Sequence, residues 1–275
     1  MVTLHDIAWQ PATSNQQPAT MSTKHQLGLI GYPLSHSFSK KYFGEKFEKE
    51  NIAGYHYELF PIPSIENLPQ LIDSQPNLLG LNITIPYKQA ALPYLDAISE
   101  EEEKVGAVNT IKFVDGQLKG YNTDVYGFEI SLRKLLATAA IPLQEMNSLV
   151  LGTGGAAKAV VYVLEKLGIT PQLVSRSAKA SQITYEDINA ECMAKHQVIV
   201  NTTPLGMSPN VDTAPNLPYE HLTDQHFLYD LVYNPEVTKF LQMGLNHGTP
   251  IMNGLEMLYL QAEKSWSSWT EERGD

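Results

Sequence analysis

The sequence predicts an α/β protein with a parallel sheet in its second half. Three observations carry this. A strand, a glycine turn and a helix follow one another without a break over residues 146–168, MNSLVLGTGGAAKAVVYVLEKLG. Strand-length runs then recur at 172–177, 197–203, 227–233 and 250–254, the spacing of a βαβ series. The length, 275 residues, suits two domains, and a hydrophobic content of 43% suffices for two cores.

Each part of the central unit has a physical reason. Leu149, Val150 and Leu151 form an unbroken apolar run of the kind buried on both faces of a parallel sheet. Gly152, Thr153, Gly154 and Gly155 follow at once, and residues 156–167 read as a helix closed by Gly168 as its left-handed cap. Bare backbone here lets a pyrophosphate approach amides at the positive end of the helix. The pattern is Gly-x-Gly-Gly rather than Gly-x-Gly-x-x-Gly, so Ala157 takes the close-packing position. A tight turn with no ligand would use the same glycines, so the motif alone leaves both readings open.

Composition narrows the function classes. Thirty acidic residues against 19 basic give a formal charge of −11, which argues against a nucleic-acid surface, and no Lys/Arg cluster offsets it. Cys192 is the single cysteine, so neither an internal disulfide nor a cysteine-based zinc site is expected, and no metal site is assigned. No run approaches the roughly 18 apolar residues of a membrane span. Residues 1–24 are rich in Thr, Gln, Pro and Ser without the apolar core of a signal peptide. A disordered extension over 1–21 and a cytoplasmic protein acting on small molecules are the expectation.

From the N-terminus, residues 26–31 form a first short strand. A hydroxyl-rich loop precedes a helix with Phe38, Tyr42, Phe43 and Phe47 on one face and a stop near Gly54. Ser37 and Ser39 fit either helix capping or the grip of a small anion. Residues 55–60 alternate as a strand, and 65–72 make a short helix between prolines. Residues 79–88 read as a strand, an X-Pro break and Lys88 opening the next helix, where the macrodipole opposes positive charge. Ser99 with Glu102 fits a capping box on a short, solvated acidic helix. A hairpin follows, its arms joined by Asp115-Gly116. Asp124 then stands where an N-cap would serve the next helix, which runs through residue 136.

The strand after the glycine turn selects the cofactor. An NAD site would place Asp or Glu about twenty residues after the last glycine. Here the strand ends in Ser175-Arg176-Ser177, with no carboxylate. A guanidinium favours a 2′-phosphate, which it meets with a fork of donors, so NADP(H) is predicted. Further on, helices are expected over 236–246 and from 255. The last places Leu258, Tyr259, Ala262, Trp266 and Trp269 on its apolar face, with Gln261 on or near it.

At this point the chain resembles the shikimate dehydrogenase family. The resemblance runs from Gly31 to about Trp269, through GYPLSHSFS, LNITIPYK, GAVNT, GYNTDVYGF, GTGGAAKAV, NTTPLGM, DLVYNP and NGLEMLYLQA. It implies NADPH-dependent, reversible reduction of 3-dehydroshikimate to shikimate on the route to aromatic amino acids. Two α/β domains around a cleft are implied, the C-terminal one a Rossmann-type doubly wound parallel sheet. Residues 22–123, completed by 255–275, would bind substrate, and 124–254 would bind the cofactor. Ser37 and Ser39, helped by Tyr233, would hold the substrate carboxylate. Thr84, Lys88, Asn109, Asp124 and Gln261 would hold its ring hydroxyls, with Lys88 and Asp124 as the catalytic pair. Gly152, Thr153, Gly154, Gly155 and Ala156 would lie under the pyrophosphate, and Ser175, Arg176 and Ser177 beside the adenosine 2′-phosphate. Thr202, Leu231, Gly254 and Met257 would complete the nicotinamide side.

Three positions depart from the family pattern. Lys40 stands where proline is common and adds a charge near the carboxylate pocket. Val125 replaces a glycine beside Asp124, and Ser175 replaces an asparagine before Arg176. The rivals are distinct. A quinate/shikimate dehydrogenase of broader use would carry an acidic group at the ribose. A non-catalytic ligand sensor would lack Lys88 or Asp124. A folate-linked dehydrogenase would lack the paired serines and the Asn-Thr-Asp stretch. Monomer and homodimer both stay open.

Overall fold

The structure, a computed structural model, describes residues 25–34, 37–177, 179 and 181–271. The extension expected over 1–21 therefore lies outside the described residues, as do Ser35 and His36 of the hydroxyl-rich loop.

Two sheets organise the chain. The first holds β1 (His25–Gly31), β2 (Tyr55–Pro61), β3 (Leu78–Ile83), β4 (Ala97–Ile98), β5 (Thr110–Val114) and β6 (Gln117–Tyr121), in the order β2-β1-β3-β5-β6-β4. β1 runs parallel to β2 and β3, whereas β5 pairs antiparallel with both β3 and β6. The reversal between β5 and β6 needs two successive left-handed residues, and Asp115 (φ 52°) and Gly116 (φ 74°) supply them. Helices α1 (Phe38–Lys49), α2 (Leu68–Asp73) and α3 (Glu100–Val105) accompany this sheet.

The second sheet is wholly parallel: β7 (Asn147–Leu151), β8 (Thr170–Val174), β9 (Val198–Asn201), β10 (Phe227–Asp230) and β11 (Ile251–Met252), in the order β11-β10-β9-β7-β8. Alternate side chains of β7 enter two different cores. Val150 packs with Val160, Val163 and Phe128, while Leu149 and Leu151 pack with Met193, Phe240 and Leu241. Burial on both faces explains the unbroken apolar run. Counted from β7, the strand order is 2-1-3-4-5, so the winding reverses between β7 and β9. A crevice at the carboxyl ends of the strands opens at such a point.

The other helices are α4 (Thr123–Leu135), α5 (Gly155–Lys166), α6 (Ala190–Lys195), α7 (Lys239–Asn246) and α8 (Leu255–Thr270). α5 ends as expected: Gly168 has φ 80°, and Ile169 N donates to Leu164 O at 2.9 Å. α4 lies closely on α8, because a Cβ at Gly127 would stand 2.6 Å from Met257 O. Farther along α8, buried Trp269 joins Leu27, Phe43 and Tyr57 over the first sheet and donates from Nε1 to Ile111 O at 2.9 Å. One helix thus touches both cores, through Met257 and Trp269. Among the described residues no helix is long and apolar enough to cross a membrane.

Three expectations need correction. No helix opens at Lys88: residues 88–91 are turns, followed by a 3-10 turn over Leu92–Tyr94, and Pro93 has no N–H to carry an i→i−4 ladder onward from Lys88. α7 begins at Lys239 rather than 236, since Thr238 is its N-cap and accepts from Leu241 N at 3.3 Å. β8 stops at Val174, leaving Ser175, Arg176 and Ser177 in the following loop.

Candidate active site

The polar side chains picked from scattered segments line one cavity of about 500 Å³. Ser37 and Ser39 reach it from the start of α1, and Thr84 and Lys88 from the turns after β3. Asn109 and Asp124 come from the two ends of the β5–β6 hairpin, Tyr233 from beyond β10, and Gln261 from α8. Ala156, Leu231, Gly254 and Met257 line the same cavity, so the glycine-turn edge of the second sheet opens into it.

Lys88 and Asp124 are paired at its centre, with Nζ 2.6 Å from Oδ2 and both side chains largely buried. The Lys88 backbone is tied down by Val108 N, which donates to its carbonyl at 2.8 Å. Its stem lies over the glycine turn, where a Cβ at Gly155 would stand 3.4 Å from Lys88 Cβ. Since Lys88 sits in a turn, no macrodipole of its own helix opposes its charge.

Asn109 holds the other carboxylate oxygen, and the direction of that bond follows from chemistry. Its Oδ1 lies 2.7 Å from Thr123 N, a backbone N–H that can only donate. The amide orientation is thereby settled, and Nδ2 faces Asp124 Oδ1 at 3.0 Å as a donor. Asp124 thus accepts from Asn109 and from Lys88, each through a different oxygen. It does not cap its helix; Asn122 occupies the N-cap, without a side-chain bond to the first turn.

Ser37 caps α1, accepting from Lys40 N at 3.3 Å, and it also lines the cavity. Ser39 lies inside α1 and also lines the cavity. Burial pushes the phenol of nearby Tyr57 well above the usual tyrosine range. Tyr233, whose phenol burial also raises, meets Phe38 edge-on with ring centroids 6.1 Å apart. Gln261 donates from its amide to Leu258 O at 2.9 Å, within its own helix.

The cofactor-type residues lie along the carboxyl edge of the second sheet. Gly152 has φ 109°, a conformation open to glycine, and Thr202 closes over β7 by donating to Leu151 O at 2.7 Å. Gly154 is the N-cap of α5 and brings no side chain to its first-turn N–H groups. A Cβ at Gly154 would meet nothing within 4 Å. Open space before uncapped amides is the cradle that a pyrophosphate fits. Arg176 and Ser177 are exposed beyond β8, and Ser175 N donates to Ile183 O at 2.9 Å.

The departures cost the site little. Lys40 does not charge the pocket: its Nζ lies 2.6 Å from Glu58 Oε2, and it is not among the cavity-lining residues. Val125 is buried in the same core as Met257, in helical backbone where glycine freedom has no use. The capping box at Ser99 is present, but α3 is more than a solvated face. Glu102 is buried and accepts from Asn122 N at 3.2 Å, two residues before Asp124. Sequence reasoning also misses Asn82, Thr110, Thr123 and Ser265, although Ser265 follows Gln261 by one helical turn. Short polar side chains carry no periodic signal.

Comparison with known proteins decides the family. A model of the shikimate dehydrogenase substrate binding domain matches residues 29–111. The NADP(+) shikimate dehydrogenase of Clostridium beijerinckii is 42% identical over 256 residues, covering 89% of this chain and 91% of the relative. The chain belongs to the shikimate dehydrogenase family. Solved shikimate dehydrogenases share its fold. That of Thermus thermophilus, in complex with NADP(H) and shikimate, has a TM-score of 0.75 at 31% identity, covering 90% of this chain and 93% of the other. The quinate dehydrogenase of Corynebacterium glutamicum, in complex with NAD, reaches 0.79 at 27% identity, over 92% and 95%. Shikimate dehydrogenases and a quinate dehydrogenase thus share one architecture with this chain.

Proposed function

We propose that the chain is a shikimate dehydrogenase, interconverting 3-dehydroshikimate and shikimate with NADP(H) in aromatic amino acid biosynthesis. The observation that carries the reading is the Lys88–Asp124 pair at 2.6 Å, set against the glycine turn in a cavity that also holds Ser37 and Ser39. NADPH, when bound, supplies the hydride. The residues here manage charge and one proton. In the reduction, the Lys88 ammonium faces the oxygen on which negative charge develops and gives it a proton. Asp124 keeps that ammonium in place and balances its charge, and Asn109 fixes the plane of the carboxylate. In the reverse direction the neutral Lys88 amine accepts the hydroxyl proton.

Ser37 and Ser39 offer hydroxyls at the start of α1 to the substrate carboxylate, with Tyr233 opposite. Thr84, Asn109 and Gln261 offer donors and acceptors to ring hydroxyls. Gly152, Thr153, Gly154, Gly155 and Ala156 form the floor for the pyrophosphate. Ser175, Arg176 and Ser177 take the 2′-phosphate, while Thr202, Leu231, Gly254 and Met257 border the nicotinamide. A domain division at 123/124 and 254/255 accords with this. The first sheet lies within 25–121 and the second within 147–252, and Phe128 and Leu132 of α4 join the second core. On this reading the protein is cytoplasmic and its partners are small molecules, with a charge of −11 unsuited to nucleic acid.

The deciding experiment follows absorbance of the reduced nicotinamide with purified protein, pairing shikimate or quinate with NADP⁺ or NAD⁺. The expected result is turnover with shikimate and NADP⁺ well above the other three pairings. Faster turnover with quinate and NAD⁺ would make the protein a quinate dehydrogenase, and no turnover by folded protein would remove the enzymatic reading.

A further inference from the structure

Ser265, on α8, is fully buried, and its Oγ has four polar neighbours. Asn82 Nδ2 lies at 3.0 Å, Thr110 Oγ1 at 2.9 Å, Thr123 Oγ1 at 3.0 Å and Gln261 O at 3.0 Å. A hydroxyl has one proton and two lone pairs, so at most three of the four contacts are satisfied at once. The Gln261 carbonyl only accepts and takes the Ser265 proton. Nδ2 of Asn82 only donates and takes one lone pair. The second lone pair accepts from one threonine, and the other threonine must send its proton elsewhere.

That other acceptor is Asn109 Oδ1, which lies 3.1 Å from Thr110 Oγ1 and 3.2 Å from Thr123 Oγ1. Ser265 therefore governs how two threonine hydroxyls divide between itself and the amide that holds Asp124. On its far side the same cluster continues outward. Asn82 Oδ1 accepts from Tyr57 at 2.8 Å. A buried polar chain so links Tyr57 to Asp124, through Asn82, Ser265, Thr123 and Asn109.

We propose that Ser265 is a positioning residue for the Lys88–Asp124 pair, acting through Thr123 and Asn109 on the placement of the Asp124 carboxylate. The proposal rests on the reading of Asp124 as half of the catalytic pair. Ser265 does not line the cavity, so it touches no substrate itself and acts on the site only through its neighbours. A helical serine bonded to its i−4 carbonyl could instead be mere packing, and the two roles separate by experiment.

The test is a double-mutant cycle with S265A and D124N, read by steady-state kinetics with shikimate and NADP⁺. S265A should lower kcat by about five- to tenfold, the worth of one neutral hydrogen bond expressed as a rate, with KM for shikimate within about twofold. In the D124N background S265A should cost nothing further, because the group it positions is no longer a carboxylate. Ser265→Cys, which keeps a weak donor and acceptor, should lose less and show the same non-additivity; it carries the test if S265A does not fold. Unchanged kcat in S265A, or its full loss repeated on top of D124N, overturns the proposal while leaving the active site standing. Full turnover in D124N itself overturns both.

Discussion

Lys88 Nζ stands 2.6 Å from Asp124 Oδ2, although 36 positions separate the two residues. Lys88 is held from the first sheet by Val108 N, and Asp124 from the hairpin end by Asn109. The pair exists because the Lys88 backbone and the Asp124 carboxylate are each tied to the same short segment, at Val108 and Asn109.

Removing the charge at Lys88 tests its part in proton transfer. Lys88→Met keeps length and apolar stem while deleting the ammonium. Positioned acid–base groups contribute roughly 10²–10⁴-fold, so kcat should fall within that range while KM for shikimate moves by less than about tenfold. Steady-state kinetics in the oxidation direction reads both constants. A near-native kcat would take the proton step away from this residue.

Arg176 is exposed beyond β8, so its removal should leave folding untouched. Arg176→Ala should raise KM for NADP⁺ by roughly 10–100-fold, the scale of charge-assisted hydrogen bonds to a phosphate, and hardly alter the weak use of NAD⁺. The ratio of kcat/KM for the two cofactors checks this. A ratio equal to that of the native protein would move 2′-phosphate recognition elsewhere.

Gly152 should tolerate no side chain. At φ 109° an L-residue is strained by about 1–3 kcal/mol, and a Cβ there would also stand 2.7 Å from Thr202 Oγ1. Gly152→Ala should therefore melt at lower temperature and bind NADP⁺ more weakly, since Thr202 must move and release Leu151 O. Thermal unfolding with and without NADP⁺ measures both effects; an unshifted melting temperature would contradict this backbone conformation.

Asp230 predicts a pH effect on stability. It is fully buried and accepts from Asn201 Nδ2 at 2.9 Å, Val232 N at 3.0 Å and Thr238 Oγ1 at 2.5 Å. Burial pushes its pKa from 3.8 up to about 6 against the pull of those donors. Between these values the folded chain binds more protons than the unfolded one, so this group's contribution to stability declines as pH rises through the window. The shift corresponds to about 3 kcal/mol. Asp230→Asn does not titrate. The stability difference, native minus variant, from urea melts at pH 4 and pH 7 should therefore move toward the variant by that order. A difference that stays constant would refute the buried, pH-sensitive carboxylate.

The glycine-turn unit of the second sheet is legible in the chain itself. β7, the turn and α5 are consecutive, and each obeys a local rule: two-faced burial for Leu149 to Leu151, bare backbone at Gly152, a left-handed cap at Gly168. Short elements were harder. α6 has only Met193 buried, too little for an apolar stripe to show, and the expected helix at Lys88 failed because Pro93 follows so closely. The start of α7 depended on Thr238, whose hydroxyl donates to Asp230 while accepting from Leu241 N.

The sequence by itself determined the α/β order, the glycine turn and the absence of a carboxylate at Arg176, because these rest on neighbours within a few residues. Motif resemblance also named polar residues that line one cavity, but not how they meet. Only the tertiary structure decided that Glu102 is buried beneath Asn122, that Lys40 turns away to Glu58, and that Ser265 lies at the hub behind Asp124. The reason is physical. Hydrogen bonds between remote segments follow from the packing of α4 on α8 and of α8 on the first sheet, and no local periodicity records that packing.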